Sequence, residues 1–410
     1  MDSKGNSLMF SIADINKQAK EKFNKVGYPS SKNEFWRYTS LKKFKSLDFI
    51  NIENKENDIK HSFSFNLDIP CITIYNGKII SYPKNKNCSL LSDKLKDCDN
   101  IFFDSLLTHN RNDIENNPFL ILNNANFKNG VYLDLDKKFD KVQIRMISDN
   151  KNKDYSSAFN KIIINSEKDS NSCVYFHYVC LDNQSKYYKN SNIDINVKEN
   201  SSISLYNVFD ESSNSYSMNN ISINQDSNSK VNSKSFYINS GFIRTNIINN
   251  LNKANAYSRL DGLFFAKENE FIDNNIIVNH NSAHTFSNVL YKGILDDNSN
   301  SIFNGLVNVP KDSNQINSDQ KNHNIILSEN AKINSNPKLK ISCDDVKCAH
   351  GSTIGNLDED ALFYLRSRGI GLEKSKQILL KSFVNEITDG IESSNFKKYI
   401  DNSIESTFNE

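Results

Sequence analysis

CVYFHYVCLDNQSKYYKNSNIDINVKENSSISLYNVF, residues 173–209, sets the texture of most of the chain. Within it the runs CVYFHYVC (173–180), NIDINV (192–197) and SISLYNVF (202–209) alternate apolar and polar residues, and clusters of Asn, Ser, Asp and Lys separate them. Alternation with period two, bounded by turn formers, is the signature of a half-buried strand. Working outward, the pattern recurs upstream in VYLDLD (131–136) and VQIRMIS (142–148). Downstream it recurs in SKSFYIN (233–239), GLFFA (262–266), NNIIVN (274–279), SIFNGLVNV (301–309) and LKISC (339–343). Between about Cys71 and Cys343 no long segment reads as a helical stripe, so this stretch is expected to be all-β.

Glycine narrows the architecture. Tight two-residue hairpins favour Gly at φ > 0, and the 410 residues hold only 13 Gly. Stacked rungs of a parallel β-helix escape that demand, and Asn side chains of successive rungs can form hydrogen-bonded ladders. The abundance of Asn fits such ladders, and equally fits a biased genomic composition. No strict repeat period is visible, so a solenoid here is expected to be irregular.

Both ends read as helical. Ile12, Ile15, Ala19 and Phe23 recur at helical spacing before the stop at Gly27 and Pro29. NEFWRYTSLKKF (33–44) follows with the single Trp of the chain, Trp36, read as an aromatic anchor for this arm. Past Gly355, Asp358 is placed to cap a helix whose first turn carries Glu359 and Asp360 and whose last turn carries Arg366 and Arg368 before Gly369. A second helix is expected on the stripe Leu379, Phe383, Ile387, and a third on Phe396, Ile400, Ile404. The tail holds more apolar stripe than it can hide alone, which hints at a partner, and Leu379, Phe383 and Ile387 with the preceding helix are expected to contact either the β core or that partner. The expected organisation is an N-terminal helical arm over 1–60, a β-helix core over 61–345 and a C-terminal helical domain over 346–410.

Lys+Arg 50 against Asp+Glu 49 leaves a formal charge of +1, so there is no basic field to attract nucleic acid. MDSKGNSLMF lacks the charged and apolar regions of a secretory signal, and no window approaches the ~18 apolar residues of a membrane span. A cytoplasmic protein is expected. Seven cysteines, odd in number and without a CxxC pair, read as reduced thiols. Phe 26 and Tyr 17 argue against disorder.

Residues 344–370, DDVKCAHGSTIGNLDEDALFYLRSRGI, closely resemble the C-terminal signature of the SufB/SufD family of iron–sulfur cluster assembly proteins. EFWRYTSL (34–41), YKGILDD (291–297), IFNGLVNV (302–309) and NHNIILSENAKINSNPKL (322–339) resemble other segments of that family, in order. SufB carries a Glu directly after the His of the signature, whereas His350 is followed here by Gly351, the form of the SufD branch. One departure is Lys340, where relatives commonly carry an acid. The resemblance implies a right-handed parallel β-helix with helical ends, paired as a heterodimer with SufB or as a homodimer when isolated. It further implies docking of the ATPase SufC by the C-terminal domain, and a non-catalytic scaffold on which a transient iron–sulfur cluster forms at the SufB interface. A reduced flavin associated with the complex is also implied.

The chemistry of Cys348-Ala349-His350 suits that account. In an extended strand residues two apart share a face, so thiol and imidazole project together roughly 6–7 Å apart at the backbone. Sulfur and nitrogen donors suit iron and zinc, but two donors leave a tetrahedral metal half coordinated, and the rest must come from another chain. An ordinary imidazole, with pKa ~6.5, is largely neutral near pH 7 and free to ligate. Spacing alone equally admits a packed thiol and a capped polar ring. Elsewhere, His280 and His284 have i, i+4 spacing but sit in strand-and-loop sequence and read as core hydrogen-bonding groups. Cys173 and Cys180, at odd offset along a strand, face opposite sides and cannot share a ligand. No GxxxxGK[ST] occurs, so ATP hydrolysis belongs to another subunit. The competing class, a β-helix polysaccharide lyase or hydrolase, needs a focused carboxylate cluster and typically a secretion signal.

Overall fold

The computed structural model describes residues 11–50, 65–107 and 117–409. The opening decapeptide and residues 51–60 of the expected arm lie outside these. Twenty strands follow in chain order. The first six are β1 (Phe49–Ile50), β2 (Cys71–Tyr75), β3 (Lys78–Ser81), β4 (Cys88–Leu90), β5 (Gly130–Leu135) and β6 (Lys141–Ser148). Next come β7 (Tyr155–Ser166), β8 (Asn171–Cys180), β9 (Tyr187–Val197), β10 (Ser202–Asp210), β11 (Tyr216–Gln225), β12 (Lys230–Asn239) and β13 (Phe242–Leu251). The last seven are β14 (Tyr257–Ala266), β15 (Phe271–His280), β16 (Phe286–Leu295), β17 (Asn300–Val309), β18 (Ile316–Ile326), β19 (Lys332–Ile341) and β20 (Val346–Gly355).

From β5 and β6 onward each strand pairs in parallel with the next strand but one, so the chain alternates between an odd-numbered and an even-numbered sheet. That topology is a parallel β-solenoid with two strands per turn. Successive partners Ser202, Lys230, Tyr257, Phe286 and Asn317 lie 27 to 31 residues apart, which accounts for the missing strict period. Between the sheets lies one apolar core, including Val174, Phe176, Leu205, Ile223, Leu260 and Ile276. Tyr178, Phe209 and Tyr237 stack through it with ring centroids 4.4 and 4.6 Å apart.

Asparagine ladders are present in this fold. Asn165, Asn196, Asn224, Asn250, Asn279 and Asn308 each bond the next rung at 2.8 to 3.4 Å. A second ladder joins Asp169, Asn200, Asn228 and Asn255, all at positive φ. Asn and Asp tolerate the left-handed region because their short polar side chains bond locally. The turns therefore do use left-handed positions, filled mostly by Asn and Asp instead of Gly, with Glu268, His284 and Gln315 in three of them.

Among the described residues three α-helices interrupt the expected all-β stretch: Leu91–Lys94, Asn100–Leu107 and Pro118–Asn126. With the arm helices these are α1 (Ile12–Val26), α2 (Lys42–Lys45), α3, α4 and α5. In α5, Pro118 to Ala125 are all buried, so no polar face exists to betray a helix in the sequence. The arm lies on the odd sheet. Trp36 is buried and stacks on the guanidinium of Arg244, 4.0 Å from ring centroid to Cζ. Arg244 pairs with buried Asp273 and donates to the Phe35 carbonyl at 2.9 Å, while Thr39 donates to Asp273 at 2.5 Å.

Three helices, α6 (Glu359–Ser367), α7 (Leu372–Thr388) and α8 (Ser394–Asn409), close the chain. Asp358 caps α6 by accepting the Ala361 N–H at 3.0 Å, and Gly369 follows at φ +88°. Leu380, Val384, Ile387, Phe396, Ile400 and Ile404 pack on Tyr175, Tyr206, Phe236 and Leu263 of the even sheet. The boundary expected at 345/346 falls inside the solenoid: Val346–Gly355 is its last strand, and helix resumes only at Glu359. Among the described residues no helix is long and apolar enough to cross a membrane.

Candidate functional site

The solenoid ends on one open rung. Among the described residues β19 pairs only with β17 and β20 only with β18, so each strand leaves a ten-residue edge that no described strand covers. Unpaired edges offer rows of free N–H and C=O groups to another chain. Cys348 and His350 lie on β20, two residues apart and so on one face.

That face is fixed by register. In β18 alternate residues Ile316, Ser318, Gln320 and Asn322 are buried, and β20 sets Val346, Cys348, His350 and Ser352 directly upon them. Val346 and Cys348 pack on Val307, Val309, Ile316 and Leu339. Partial burial pushes the Cys348 thiol up, against a hydrogen bond from the backbone of Ser318. Two residues on, His350 is exposed. Beyond it the hydroxyl of Ser352 donates to Ser335 at 2.7 Å, and Ser335 to the Asn322 side chain at 2.7 Å, closing β20 against β19. The open end thus presents a half-buried thiol and an exposed imidazole side by side. Among the described residues no three His, Cys, Asp or Glu side chains converge into a metal-holding group.

The other candidates are dispersed. His280 is buried, with Thr285 and Ser287 hydroxyls 2.8 and 2.9 Å from its ring nitrogens, whereas His284 is an exposed turn residue at positive φ. All seven cysteines are free thiols. Of the stripe Leu379, Phe383, Ile387, Ile387 is fully buried and Phe383 half-buried against the chain's own solenoid, while Leu379 is half-buried. Lys292 sits 4.7 Å over the Phe383 ring and donates to the Phe383 carbonyl, and Lys234 donates to the Ile387 carbonyl. The buried seam of α7 is Leu380, Val384, Ile387, because a 3.6-residue turn drifts away from a strict i, i+4, i+8 row. Outward-facing apolar residues of the C-terminal unit are instead Phe363 at 74 % exposed, Tyr364 at 57 %, Leu372 and Ile378. The sequence carried a signal for Phe363 and Tyr364: they sit between the capping and terminating charges of α6, away from Leu362.

Residues 146–383 match the family described as SUF system FeS cluster assembly, SufBD core domain. An Escherichia coli protein described as iron–sulfur cluster assembly protein SufD is 27% identical over 224 residues, 55% of this chain and 53% of that protein. The match therefore spans about half the length of that relative. A Synechocystis protein of the SufBD family is 43% identical over 105 residues, 26% of this chain and 23% of that one. A Bacillus subtilis SufD is 32% identical over 117 residues, 28% and 27% of the two chains.

Proposed function

We propose a SufD-type scaffold role for this chain, which belongs to the SUF-system family built on the SufBD core domain and so to the proteins of iron–sulfur cluster assembly. In this reading the chain pairs through its open end with SufB and recruits SufC, which supplies ATP hydrolysis, while this subunit performs no catalysis of its own. The observation that carries the reading is the exposed imidazole of His350 on an unpaired edge strand, with the thiol of Cys348 two residues earlier. Iron and sulfide are the cargo. His350 and Cys348 would give one nitrogen and one sulfur donor to the nascent cluster, and a facing subunit would complete the shell.

Docking of SufC is assigned to the C-terminal helical unit, through the outward residues Phe363 and Tyr364 of α6 rather than the inward stripe of α7. Large exposed apolar side chains adjacent in one helix mark contact surfaces. The groove of ≈ 850 Å³ between the arm and the odd sheet does not fit the reduced flavin of such complexes. That groove is open to solvent and carries Glu268 and Glu270 against Lys42 and Lys43, whereas cofactor sites enclose most of their ligand.

The test is a His350→Ala chain co-expressed with SufB and SufC. The variant is expected to co-purify with both partners and to lose cluster formation, read by anaerobic absorption spectroscopy. Full cluster yield from that variant removes His350 from the mechanism.

A further inference from the structure

One buried amide is out of keeping with its surroundings. Gln320 in β18 is the register partner of His350 in β20, so the two side chains project from one face on strands about 4.8 Å apart. Gln320 is 0 % exposed, and neither its Nε2 nor its Oε1 has a hydrogen-bond partner. Leaving a buried amide unpaired is destabilising, whereas an apolar residue of the same shape would be nearly neutral. Yet the fold keeps room for this side chain. A Cβ on Gly305 of β17 would stand 2.5 Å from Cδ and Nε2 of Gln320, so the amide occupies space that only glycine leaves free. On the next strand its register partner His350 is exposed.

We propose that Gln320 is a positioning residue for His350: its amide oxygen accepts the Nδ1–H of the imidazole and so leaves the Nε2 lone pair facing the open end. This rests on reading His350 as a ligand. Ligating imidazoles are commonly held by an acceptor on the second ring nitrogen, which fixes both tautomer and ring orientation. A free neutral imidazole side chain favours the Nε2–H form, which has no lone pair on its outer nitrogen. With its oxygen toward the ring Gln320 offsets that preference, and the amide that is unpaired in the fold gains its partner when the ring turns inward.

The experiment uses the full chain labelled with 15N-histidine, with the His350 ring signals assigned by their loss in His350→Ala. The wild type is expected to show mainly the Nδ1–H form. Gln320→Leu is expected to revert to Nε2–H, and Gln320→Glu to retain Nδ1–H because a carboxylate oxygen still accepts. Gln320→Leu should melt no lower than the wild type, yet iron affinity of the complex formed with its partners should fall roughly 10–100-fold. An unchanged tautomer ratio in Gln320→Leu overturns the positioning role, whether or not the melting temperature moves. Full cluster yield from His350→Ala overturns the ligand reading instead, whatever the tautomer, so the two failures are distinguishable.

Discussion

His177 is a second imidazole whose environment is legible in physical terms. It projects from β8 on the outer face of the even sheet and is buried beneath Phe65 and Tyr399, with ring centroids 5.0 and 6.0 Å away. Neither ring nitrogen has a hydrogen-bond partner. Burial pushes its pKa down to about 3, with Arg145 and Lys189 adding repulsion. His280 is pushed down to about 4, also by burial. An imidazole depressed in the fold stays neutral there, while the unfolded chain takes up a proton near pH 6.5. Stability from each group is therefore complete above about pH 7 and is lost as pH falls from there toward the folded value. At pH 5 each group has forfeited about 2 kcal/mol. Urea unfolding between pH 7 and pH 5 should show this loss, and His177→Leu should roughly halve it. An unaltered pH slope in the variant would contradict the assignment.

At the scale of elements, α7 supplies the seam against the even sheet, and α6 carries the exposed apolar pair Phe363 and Tyr364. Leu380 of α7 is in the seam against the even sheet, so Leu380→Ala should cost about 2–5 kcal/mol of stability. Phe363 of α6 points to solvent, so Phe363→Ala should change stability by no more than about 0.5 kcal/mol while abolishing SufC pull-down. Retained pull-down would move the docking surface elsewhere. The strands were legible because each buries one face and so alternates, and α6 was legible from Asp358, its charge polarity and Gly369. Helix α5 was not, since a helix buried all round has no period to read. In α7, adjacent Leu379 and Leu380 both fit a stripe, and only packing in the apolar cluster on the even sheet selects Leu380. The Cys348–His350 pair followed from strand parity. Gln320 and Gly305 did not, because their bearing on His350 depends on a register that joins residues far apart in the chain.

For the whole molecule, each rung of a solenoid touches only its neighbours, and an end rung normally carries a cap. At the N-terminal end β3 and β4 turn antiparallel onto β2 and β5, and α3 packs beside them. At the other end the two edges differ. β19 carries Pro337 and three lysines, Lys332, Lys338 and Lys340, the residues that blunt an edge against pairing. β20 carries one lysine, Lys347, and exposes Ala349, His350, Thr353 and Ile354. Strand addition by a second chain is therefore expected on β20, which would bring the partner's donors to Cys348 and His350. Adding Lys to that edge as Ala349→Lys with Ile354→Lys should leave the melting temperature nearly unchanged, since both positions are exposed. In sedimentation velocity the isolated wild-type chain is expected to dimerise through this edge, and the doubly substituted chain to stay monomeric and to co-purify less SufB. A variant that still dimerises and still binds SufB would place the interface away from β20 and separate the two donors from any neighbouring subunit.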